Sequence, residues 1–210
     1  MKKNKGLFIT LEGIEGAGKS THISFIANLL KASGKDVVMT REPGSTELGE
    51  QIRNILLMQK TLSISATTEL LLMFAARAQH LEQIILPALT AGKTVLCDRF
   101  TDSTYAYQGG GRGVSRGKID NLVAQVHPNL QPDLTLLFDL PVATGLARAS
   151  STRDADRFES ESIDFFESVR SAYLHLAGAD PGRIKIINAE NNVNVIQAMI
   201  KKTMQEAGIC

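Results

Sequence analysis

The stretch that decides the fold is FITLEGIEGAGKST, residues 8–21, in which an apolar run passes directly into a glycine-rich turn. The turn matches the pattern Gly13-x-x-x-x-Gly18-Lys19-Ser20, a complete phosphate-binding loop between a predicted strand and a predicted helix. Glycines let the backbone fold tightly enough for successive N–H groups to point at phosphate oxygens, and the positive end of the following helix adds to the attraction. The stretch therefore predicts a site for a nucleoside triphosphate.

Two side chains of this loop are expected to act on the triphosphate. Lys19 can reach the β- and γ-phosphates, and the Ser20 hydroxyl is placed to bind a magnesium ion. A chance match to the pattern is expected in roughly 1% of chains of this length, and in fewer when a strand must precede it, so the motif is a strong signal. ATP contacts are predicted along the whole loop, at Gly13, Ile14, Glu15, Gly16, Ala17, Gly18, Lys19, Ser20 and Thr21.

Short apolar runs alternate with helical segments along the rest of the chain. The five predicted strands are residues 6–12, 36–42, 94–100, 133–140 and 183–189, and their centres are continuously apolar, as in strands buried on both faces of a parallel sheet. Strands that alternate with helices through right-handed crossovers predict an α/β fold. We expect a P-loop NTPase fold, with a doubly wound five-stranded parallel sheet, helices on both faces and ligands at the carboxyl ends of the strands.

Glycines mark the ends of three predicted helices. Residues 19–33 stop before Gly34, a long segment of about 67–91 stops before Gly92, and residues 193–207 stop before Gly208. The long segment should kink or break near its end at Pro87, which lacks the backbone N–H. Its apolar residues recur at helical spacing: Leu71, Leu72, Phe74, Ala75, Ala78, Leu81 and Ile85.

Length, charge and cysteine content set the class of protein. The 210 residues fit one domain, 1–210, with a small lid, and a formal net charge of +1 gives no basic excess for binding a nucleic-acid polymer. The two cysteines, Cys97 and Cys210, indicate a reducing compartment rather than a disulfide framework. The apolar part of the opening segment, about six residues before Glu12, is too short for a signal peptide, and no stretch approaches the roughly 18 residues of a membrane span. We therefore expect a cytoplasmic protein with no membrane partner.

Polar residues gather where the predicted strands end. The third strand ends in Asp98-Arg99-Phe100, which places an acid suited to magnesium beside an arginine that can clamp phosphate oxygens bidentately. A simple ion pair at the end of the strand is the alternative. Four further polar segments are predicted at the same edge of the sheet: TREPGST (40–46), MFAARAQ (73–79), DSTYAYQGGGRG (102–113) and RASSTRDADRFE (148–159).

In this order, the phosphate loop followed by REPG (41–44), DRF (98–100) and AYQGGGRG (106–113) strongly resembles the thymidylate kinase family, whose members phosphorylate dTMP from ATP. The resemblance runs through most of the chain, and the last three motifs are far more specific than the loop. It implies ATP with Mg²⁺ as the donor and dTMP as the acceptor. It also implies a homodimer through the helix of residues 67–91, whose apolar surface exceeds what one sheet face can cover.

The resemblance also assigns residues to the thymine base. Phe74 would stack on the base and Arg77 would donate to a carbonyl oxygen, and both lie on one face of the helix. Thr104 and Gln108 would make polar contacts to the base, and the Tyr107 ring would lie near the 2′ position of the sugar and exclude a ribose hydroxyl. Core packing for Phe74 and a helix-capping position for Tyr107 are the alternatives.

The remaining roles implied by the resemblance concern the phosphates. Arg41 and Arg99 would clamp the monophosphate, and Glu15 would contact its 3′-hydroxyl or, through water, the magnesium ion. Ser45 stands where many relatives have a second glycine.

Residues 148–161 have the composition of a mobile lid, with Arg148, Arg153 and Arg157 among small and acidic residues. Relatives whose phosphate loop lacks an arginine supply the catalytic one from the lid, and residues 13–18 contain no basic residue. We expect Arg153 to be catalytic; a solvated charged helix is the alternative reading of this segment. The predicted catalytic set is Lys19, Asp98, Arg99 and Arg153, with Ser20 and Asp98 at the metal.

A phosphate dianion is the acceptor in this scheme, so no strong general base is needed. This agrees with four histidines that we expect on the surface or in helices: His22, His80, His127 and His175. A GTP-binding switch would carry the guanine-recognition motif Asn-Lys-x-Asp after one of the later strands. The only Asn-Lys pair, Asn4-Lys5, precedes the first strand, so a GTP switch is disfavoured. Two alternatives stay open: another nucleoside monophosphate kinase with a different base pocket, and a nucleotide-regulated switch or assembly ATPase.

Overall fold

The computed structural model describes residues 6–57, 62–150, 157–158 and 160–210. Within these residues the strands form one parallel sheet in the order β2-β3-β1-β4-β5. Each predicted strand is confirmed within two residues at either end. The strands are β1 (Phe8–Glu12), β2 (Val37–Arg41), β3 (Thr94–Asp98), β4 (Leu134–Asp139) and β5 (Ile184–Asn188).

The position of a strand in the sheet decides how much of it is buried. The central strand β1 pairs with β3 through Ile9↔Leu96 and with β4 through Ile9↔Leu134, and all of its residues are buried. The two edge strands instead expose alternate residues, Met39 on β2 and Ile186 on β5. Burial on both faces, expected of all five strands, therefore holds for the three inner ones.

Helices cover both faces of the sheet. Ile9 and Leu11 belong to the same buried cluster as residues of the first and last helices, whereas Phe8 packs with Ile85 and Leu89. The helices are α1 (Lys19–Ala32), α2 (Glu47–Leu57), α3 (Ala66–His80), α4 (Leu86–Thr90), α5 (Thr101–Thr104), α6 (Arg116–Val126), α7 (Val142–Ser150), α8 (Ile163–Ala179) and α9 (Val193–Glu206). The three helices predicted from glycine stops are confirmed.

The long helical segment is interrupted just where proline predicts. A π-helical turn, Leu81–Ile85, separates α3 from α4, and Pro87 lies in the first turn of α4. Proline removes one backbone donor and its ring crowds the preceding turn, so the helix widens there instead of continuing as an α-helix.

The glycine triplet after β3 lies in a second π-helical segment, Tyr105–Gly111, which continues α5. A Cβ atom on Gly110 would lie 2.7 Å from the Cβ of Ala172, and one on Gly111 would lie 2.4 Å from the ring of Phe165. Both neighbours belong to α8, so the glycines allow the two helical segments to pack backbone to backbone. This packing fixes Tyr107 and Gln108 at the carboxyl edge of the sheet.

Among the residues described, none of the helices combines the length and the apolar character needed to cross a bilayer.

Candidate active site

A cleft of about 910 Å³ lies at the carboxyl edge of the sheet, as the topology predicts. The phosphate loop forms its floor, and the ends of β2 and β3, the middle of α3 and the segment after β3 form one side. The end of α7 and the connection from β5 to α9 form the other. The sequence-predicted residues that line it are Glu15, Gly16, Ala17, Gly18, Lys19, Ser20, Thr21, Arg41, Arg77, Asp98, Arg99, Thr104, Tyr107 and Gln108.

The remaining predicted site residues are placed elsewhere. Gly13 and Ile14 are not on the wall of the cleft, and Ile14 points into the core at 2% exposure. Phe74 is buried away from the cleft, and Arg153 lies outside the described residues.

Three glycines give the phosphate loop its shape. Gly13, Gly16 and Gly18 have φ angles of 133°, 68° and 90°, in the region that favours glycine. A Cβ atom on Gly16 would also lie 1.9 Å from the carbonyl oxygen of Gly145 at the start of α7. The loop therefore requires glycine at this position for both backbone conformation and space.

Lys19 folds back over its own loop. Its Nζ donates to the carbonyl oxygens of Gly13 at 2.8 Å and Ile14 at 2.9 Å. Burial, together with the nearby Arg99 cation, lowers the pKa of Lys19 to about 8, although Asp98 and other carboxylates act in the opposite sense. The negative charge of a bound phosphate would offset both effects and favour the charged lysine.

Asp98 fits the predicted magnesium site. Its Oδ1 is buried and has no hydrogen-bond partner among the described residues, although it lies on the wall of the cleft near Lys19. A lone carboxylate oxygen and the Ser20 hydroxyl are the hard ligands that magnesium prefers. The described residues contain no group of three or more His, Cys, Asp or Glu side chains able to hold a metal.

Arg99 is fixed in place by its surroundings. It has a φ of 70°, a strained value for a non-glycine residue, directly after β3. Its Nη2 donates to Glu15 Oε1 at 2.8 Å, its Nη1 donates to Ser103 Oγ and Tyr173 Oη, and its guanidinium carbon lies 4.9 Å from the centre of the Tyr107 ring. The backbone strain and these contacts hold the guanidinium at the centre of the cleft.

A buried carboxylate lies beneath Arg99. Glu12 at the end of β1 accepts hydrogen bonds from Phe100 N at 2.7 Å, Ser103 Oγ at 2.5 Å and Tyr173 Oη at 2.8 Å. Burial, with the Asp102 charge, raises the pKa of Glu12 to about 7. Sequence reasoning missed this network; the signal available was an acid at the end of a fully apolar strand.

The raised pKa of Glu12 gives a pH-dependent stability. Because its pKa is about 7 when folded and near 4.5 when unfolded, Glu12 stabilises the fold below pH 4.5, and this contribution is lost as the pH rises through 7. We expect the free energy of unfolding of wild type relative to Glu12→Gln to fall by roughly 2 kcal/mol between pH 5 and pH 8. Urea unfolding of both proteins at the two pH values measures this difference. An unchanged difference would contradict it.

Arg77 lies on the wall of the cleft and has one guanidinium nitrogen without a partner among the described residues. Its Nε donates to Glu42 Oε2 at 2.7 Å and its Nη2 to Thr104 Oγ1 at 3.0 Å, while the buried Nη1 has no partner among the described residues. The guanidinium carbon lies 4.9 Å from the Phe74 ring centre and 5.1 Å from the Phe100 ring centre. A ligand carbonyl is the natural partner for Nη1.

Phe74 supports Arg77 and does not face the cleft. It packs in a buried cluster with Leu70 and Ile119, as the core-packing alternative expected. Met73, one position earlier and four before Arg77, lines the cleft instead. The helix therefore turns Met73, and not Phe74, towards the cleft.

The segment after β3 contributes three tethered side chains. Tyr107 Oη donates to Glu15 Oε2 at 2.6 Å, and Gln108 Nε2 donates to the buried carboxylate of Glu69 at 2.9 Å. Thr104 is fully buried and accepts from Arg77. These contacts hold all three side chains against one wall of the cleft.

Arg41 lines the cleft but is half exposed and paired. Its Nη2 donates to both carboxylate oxygens of Glu50, at 2.7 and 2.8 Å. An exposed pair of this kind contributes only about 0–1 kcal/mol, so a phosphate can compete for the arginine. Ser45 adopts a φ of 66°, a value that favours glycine, and its Oγ accepts from the backbone N of Arg41 and donates to the Arg41 carbonyl oxygen.

Two arginines of the predicted lid are described. Arg148 lines the cleft, whereas Arg157 Nη2 donates to Glu69 Oε2 at 2.5 Å and its Nε to the Leu56 carbonyl at 2.7 Å. The guanidinium of Arg157 is therefore hydrogen-bonded to a buried carboxylate and to the end of α2.

Sequence reasoning missed the far end of the cleft. Asn191, Asn192 and Val193 after β5 line it, together with His22, whose ring stacks on Phe138. The topology could have indicated this connection, because it follows the carboxyl end of a strand.

The histidines are buried more deeply than expected. His22, His80 and His127 have exposures of 1%, 0% and 6%, and only His175 is exposed. Surface positions were therefore wrong for these three, although His22 and His80 do lie in helices.

Comparison with known proteins places this cleft in a family. The sequence model of thymidylate kinase matches residues 11–200. The chain is 55% identical over 201 residues to the thymidylate kinase of Pseudomonas syringae pv. tomato (strain ATCC BAA-871 / DC3000), covering 96% of each chain. It is 57% identical over 195 residues to that of Pseudomonas entomophila (strain L48), covering 93% of each. The crystal structure of thymidylate kinase from Ehrlichia chaffeensis aligns with a TM-score of 0.78 and 34% identity, over 95% of this chain and 98% of that one.

Proposed function

The chain belongs to the thymidylate kinase family, and on that premise we propose which of its residues carry the reaction. It phosphorylates dTMP to dTDP, with ATP as the donor. One observation supports the assignment of residues: a single cleft joins the phosphate loop to the wall that carries Arg77, and Lys19 and Arg99 lie between them.

The donor occupies the side of the cleft formed by the phosphate loop. The backbone N–H groups of residues 15–21 surround its phosphates, and Lys19 pairs with the β- and γ-phosphates. Asp98 and Ser20 hold the magnesium ion, which supplies charge neutralisation at the phosphates when bound. The connection after β5, with Arg148 and Asn191, faces the nucleoside of ATP.

The acceptor occupies the opposite wall. Arg77 Nη1 donates to a thymine carbonyl oxygen, and Thr104 and Gln108 complete the polar contacts to the base. Met73, and not Phe74, packs against the base, because Met73 lines the cleft. A thioether adapts well to the face of a ring.

Four further side chains contact the sugar and the phosphate of the acceptor. The Tyr107 ring excludes a 2′-hydroxyl, and Glu15 receives the 3′-hydroxyl. Arg41 and Arg99 bind the monophosphate, with Arg41 leaving Glu50 to do so.

During transfer, an oxygen of the dTMP phosphate forms a bond to the γ-phosphorus as the bond from that phosphorus to the β–γ bridging oxygen breaks. The products are dTDP and ADP, and the acceptor oxygen needs no base because it is already ionised. Lys19 and Arg99 face the charge that spreads over the transferring group, and the protein contributes chiefly by positioning and neutralisation. A lid of about residues 148–161 closes over the cleft and supplies Arg153.

Kinetic assays with a set of nucleoside monophosphates as acceptors test both the proposed function and the role of the lid. Wild type should convert dTMP in preference to dUMP, dGMP, AMP and CMP, measured by ADP release, and should show little ATP hydrolysis without an acceptor. Arg153→Ala should lower kcat for dTMP by roughly a hundredfold while ATP binding, measured by calorimetry, stays intact. The exposed Arg116→Ala on α6 is the matched control and should behave as wild type. Steady hydrolysis without an acceptor would favour an ATPase instead.

We also propose a homodimer through α3 and α4. Leu71, Ala75 and Ala78 form an exposed apolar stripe at helical spacing, continued by Leu86 across the π-helical turn. Leu71 and Leu86 are 52% and 47% exposed, so each presents apolar surface that a second copy could cover.

Substituting Leu71 by aspartate should weaken self-association, because it places a charge within the apolar stripe that the proposed interface buries. The expected dimer dissociation constant rises roughly 30-fold, equivalent to about 2 kcal/mol, in sedimentation equilibrium. Val195→Asp on α9, at a residue 41% exposed and off the stripe, is the control. Equal effects of the two substitutions, or a wild-type monomer, would contradict the proposal.

A further inference from the structure

A buried histidine lies behind the base-binding wall of the cleft. His80, the last residue of α3, is 0% exposed and bridges two strand-end residues. Its Nδ1 lies 2.9 Å from Glu42 Oε1 and its Nε2 lies 2.6 Å from Thr40 Oγ1. The other oxygen of Glu42 accepts the hydrogen bond from Arg77 Nε. One continuous chain of contacts thus runs from β2 through His80 and Glu42 to Arg77.

The direction of these hydrogen bonds follows from the charge of Glu42. Burial alone would raise the pKa of Glu42, but the Arg77 cation and the hydrogen bond from His80 together lower it below its usual value. Glu42 is therefore a carboxylate, which only accepts hydrogen bonds. His80 Nδ1 must carry the proton it donates to Glu42, and Thr40 holds the opposite side of the ring.

We propose that His80 is a positioning residue for Arg77, acting through Glu42. The proposal rests on the role of Arg77 at the thymine base given above. Glu42 and Thr104 bind two nitrogens of the Arg77 guanidinium and so fix its orientation at the wall of the cleft, where the third nitrogen, Nη1, has no partner among the described residues. Without the His80 hydrogen bond, the carboxylate of Glu42 is held on one side only and can rotate, and the aim of Arg77 is lost with it.

The first test compares His80→Phe, Arg77→Ala and the double variant in steady-state kinetics. Phenylalanine keeps the ring volume but makes neither hydrogen bond. His80→Phe should raise the KM for dTMP about tenfold, with kcat and the KM for ATP within twofold of wild type. The preference for dTMP over 5-methyl-dCMP, which carries an amino group in place of a base carbonyl, should fall by a similar factor. In the Arg77→Ala background, His80→Phe should have no further effect.

Two conservative variants separate positioning from packing. Asparagine can place its amide nitrogen near the position of Nδ1 and donate to Glu42, so His80→Asn should recover most of the affinity for dTMP. Glutamine reaches towards Thr40 instead, so His80→Gln should not. These two variants decide the matter if His80→Phe does not fold.

His127→Phe is the matched control. His127 is buried beside Phe74 and has two hydrogen bonds of its own, to Thr101 Oγ1 and the Leu130 carbonyl, but none to Glu42. His127→Phe should lower the melting temperature while leaving the KM for dTMP within twofold of wild type. An equal rise in KM for His127→Phe would overturn the proposal by showing general loosening of the core.

The outcomes also distinguish this inference from the role of Arg77. If Arg77→Ala leaves the KM for dTMP unchanged, the assignment of Arg77 to the base fails. If Arg77→Ala raises that KM but His80→Phe does not, or if the two effects add in the double variant, only the positioning role of His80 fails.

Discussion

Lys19→Met is expected to reduce kcat for dTMP phosphorylation by roughly 10³-fold. Lys19 is the only basic residue of the phosphate loop, residues 13–21, and methionine keeps its length without its charge. Removing one preorganised donor of this kind costs roughly 10²–10³ in rate, and the loss of a full charge sets the effect at the upper end. Single-turnover kinetics with saturating ATP and dTMP measure the chemical step directly.

Loss of the ammonium group should also remove a pH dependence. Because the pKa of Lys19 is about 8 in the free protein, wild-type kcat/KM for ATP should fall as the pH rises through 8, and the variant should show no such fall. Lys31→Met, in the last turn of α1, is the control for the substitution itself. A loss of less than tenfold for Lys19→Met would remove this residue from the mechanism.

Arg99→Met should lower kcat by a similar factor, roughly 10²–10³. Arg99 is the guanidinium that the strained strand end and its contacts with Glu15, Ser103 and Tyr173 hold at the centre of the cleft. Arg99→Lys keeps the charge but replaces a rigid fork by a single point of contact, so it should recover only part of the rate. The measurement is kcat for dTMP with ATP binding followed separately.

A buried arginine outside the cleft provides the control for lost stability. Arg183 forms an ion pair with Asp102 at 2.6 Å, buried to a degree similar to the pair between Arg99 and Glu15. Arg183→Met should lower the melting temperature and leave kcat within twofold of wild type. If both substitutions reduced kcat equally, the effect of Arg99→Met would be one of folding rather than of chemistry.

The sheet could be predicted because each of its strands has the same local signal, a short apolar run followed by polar residues. Continuous apolar runs are tolerated only where both faces are covered, and glycines end helices for local conformational reasons, so both signals can be read from the chain. The carboxyl-edge rule then brought residues from four separate segments into one cleft. The helices α2, α6 and α8 were not predicted, although buried residues of α8 such as Phe166, Val169 and Tyr173 recur at helical spacing after the N-cap Ser162.

The wrong predictions at the site concern the direction in which side chains point. Phe74 and Met73 are adjacent, and a rotation of about 100° per residue decides which of them faces the ligand. The sequence favoured the aromatic residue, whereas the phase of α3 is set by buried partners such as Leu70 and Ile119. His80 was missed for a related reason: its partners, Thr40 and Glu42, are distant in the chain and meet it only when β2 docks on α3.

The tight contact between the glycine triplet and α8 has a consequence for sugar selection. Tyr107 sits two residues before the first of these glycines, so its height above the cleft floor depends on how closely two backbones approach on the far side. A methyl group at Gly110 or Gly111 would push that segment off α8 and move the phenol relative to a bound deoxyribose. On the proposed role of Tyr107, selection against a ribose hydroxyl would depend on the packing of Gly110 and Gly111 against α8 as well as on the residues that line the cleft.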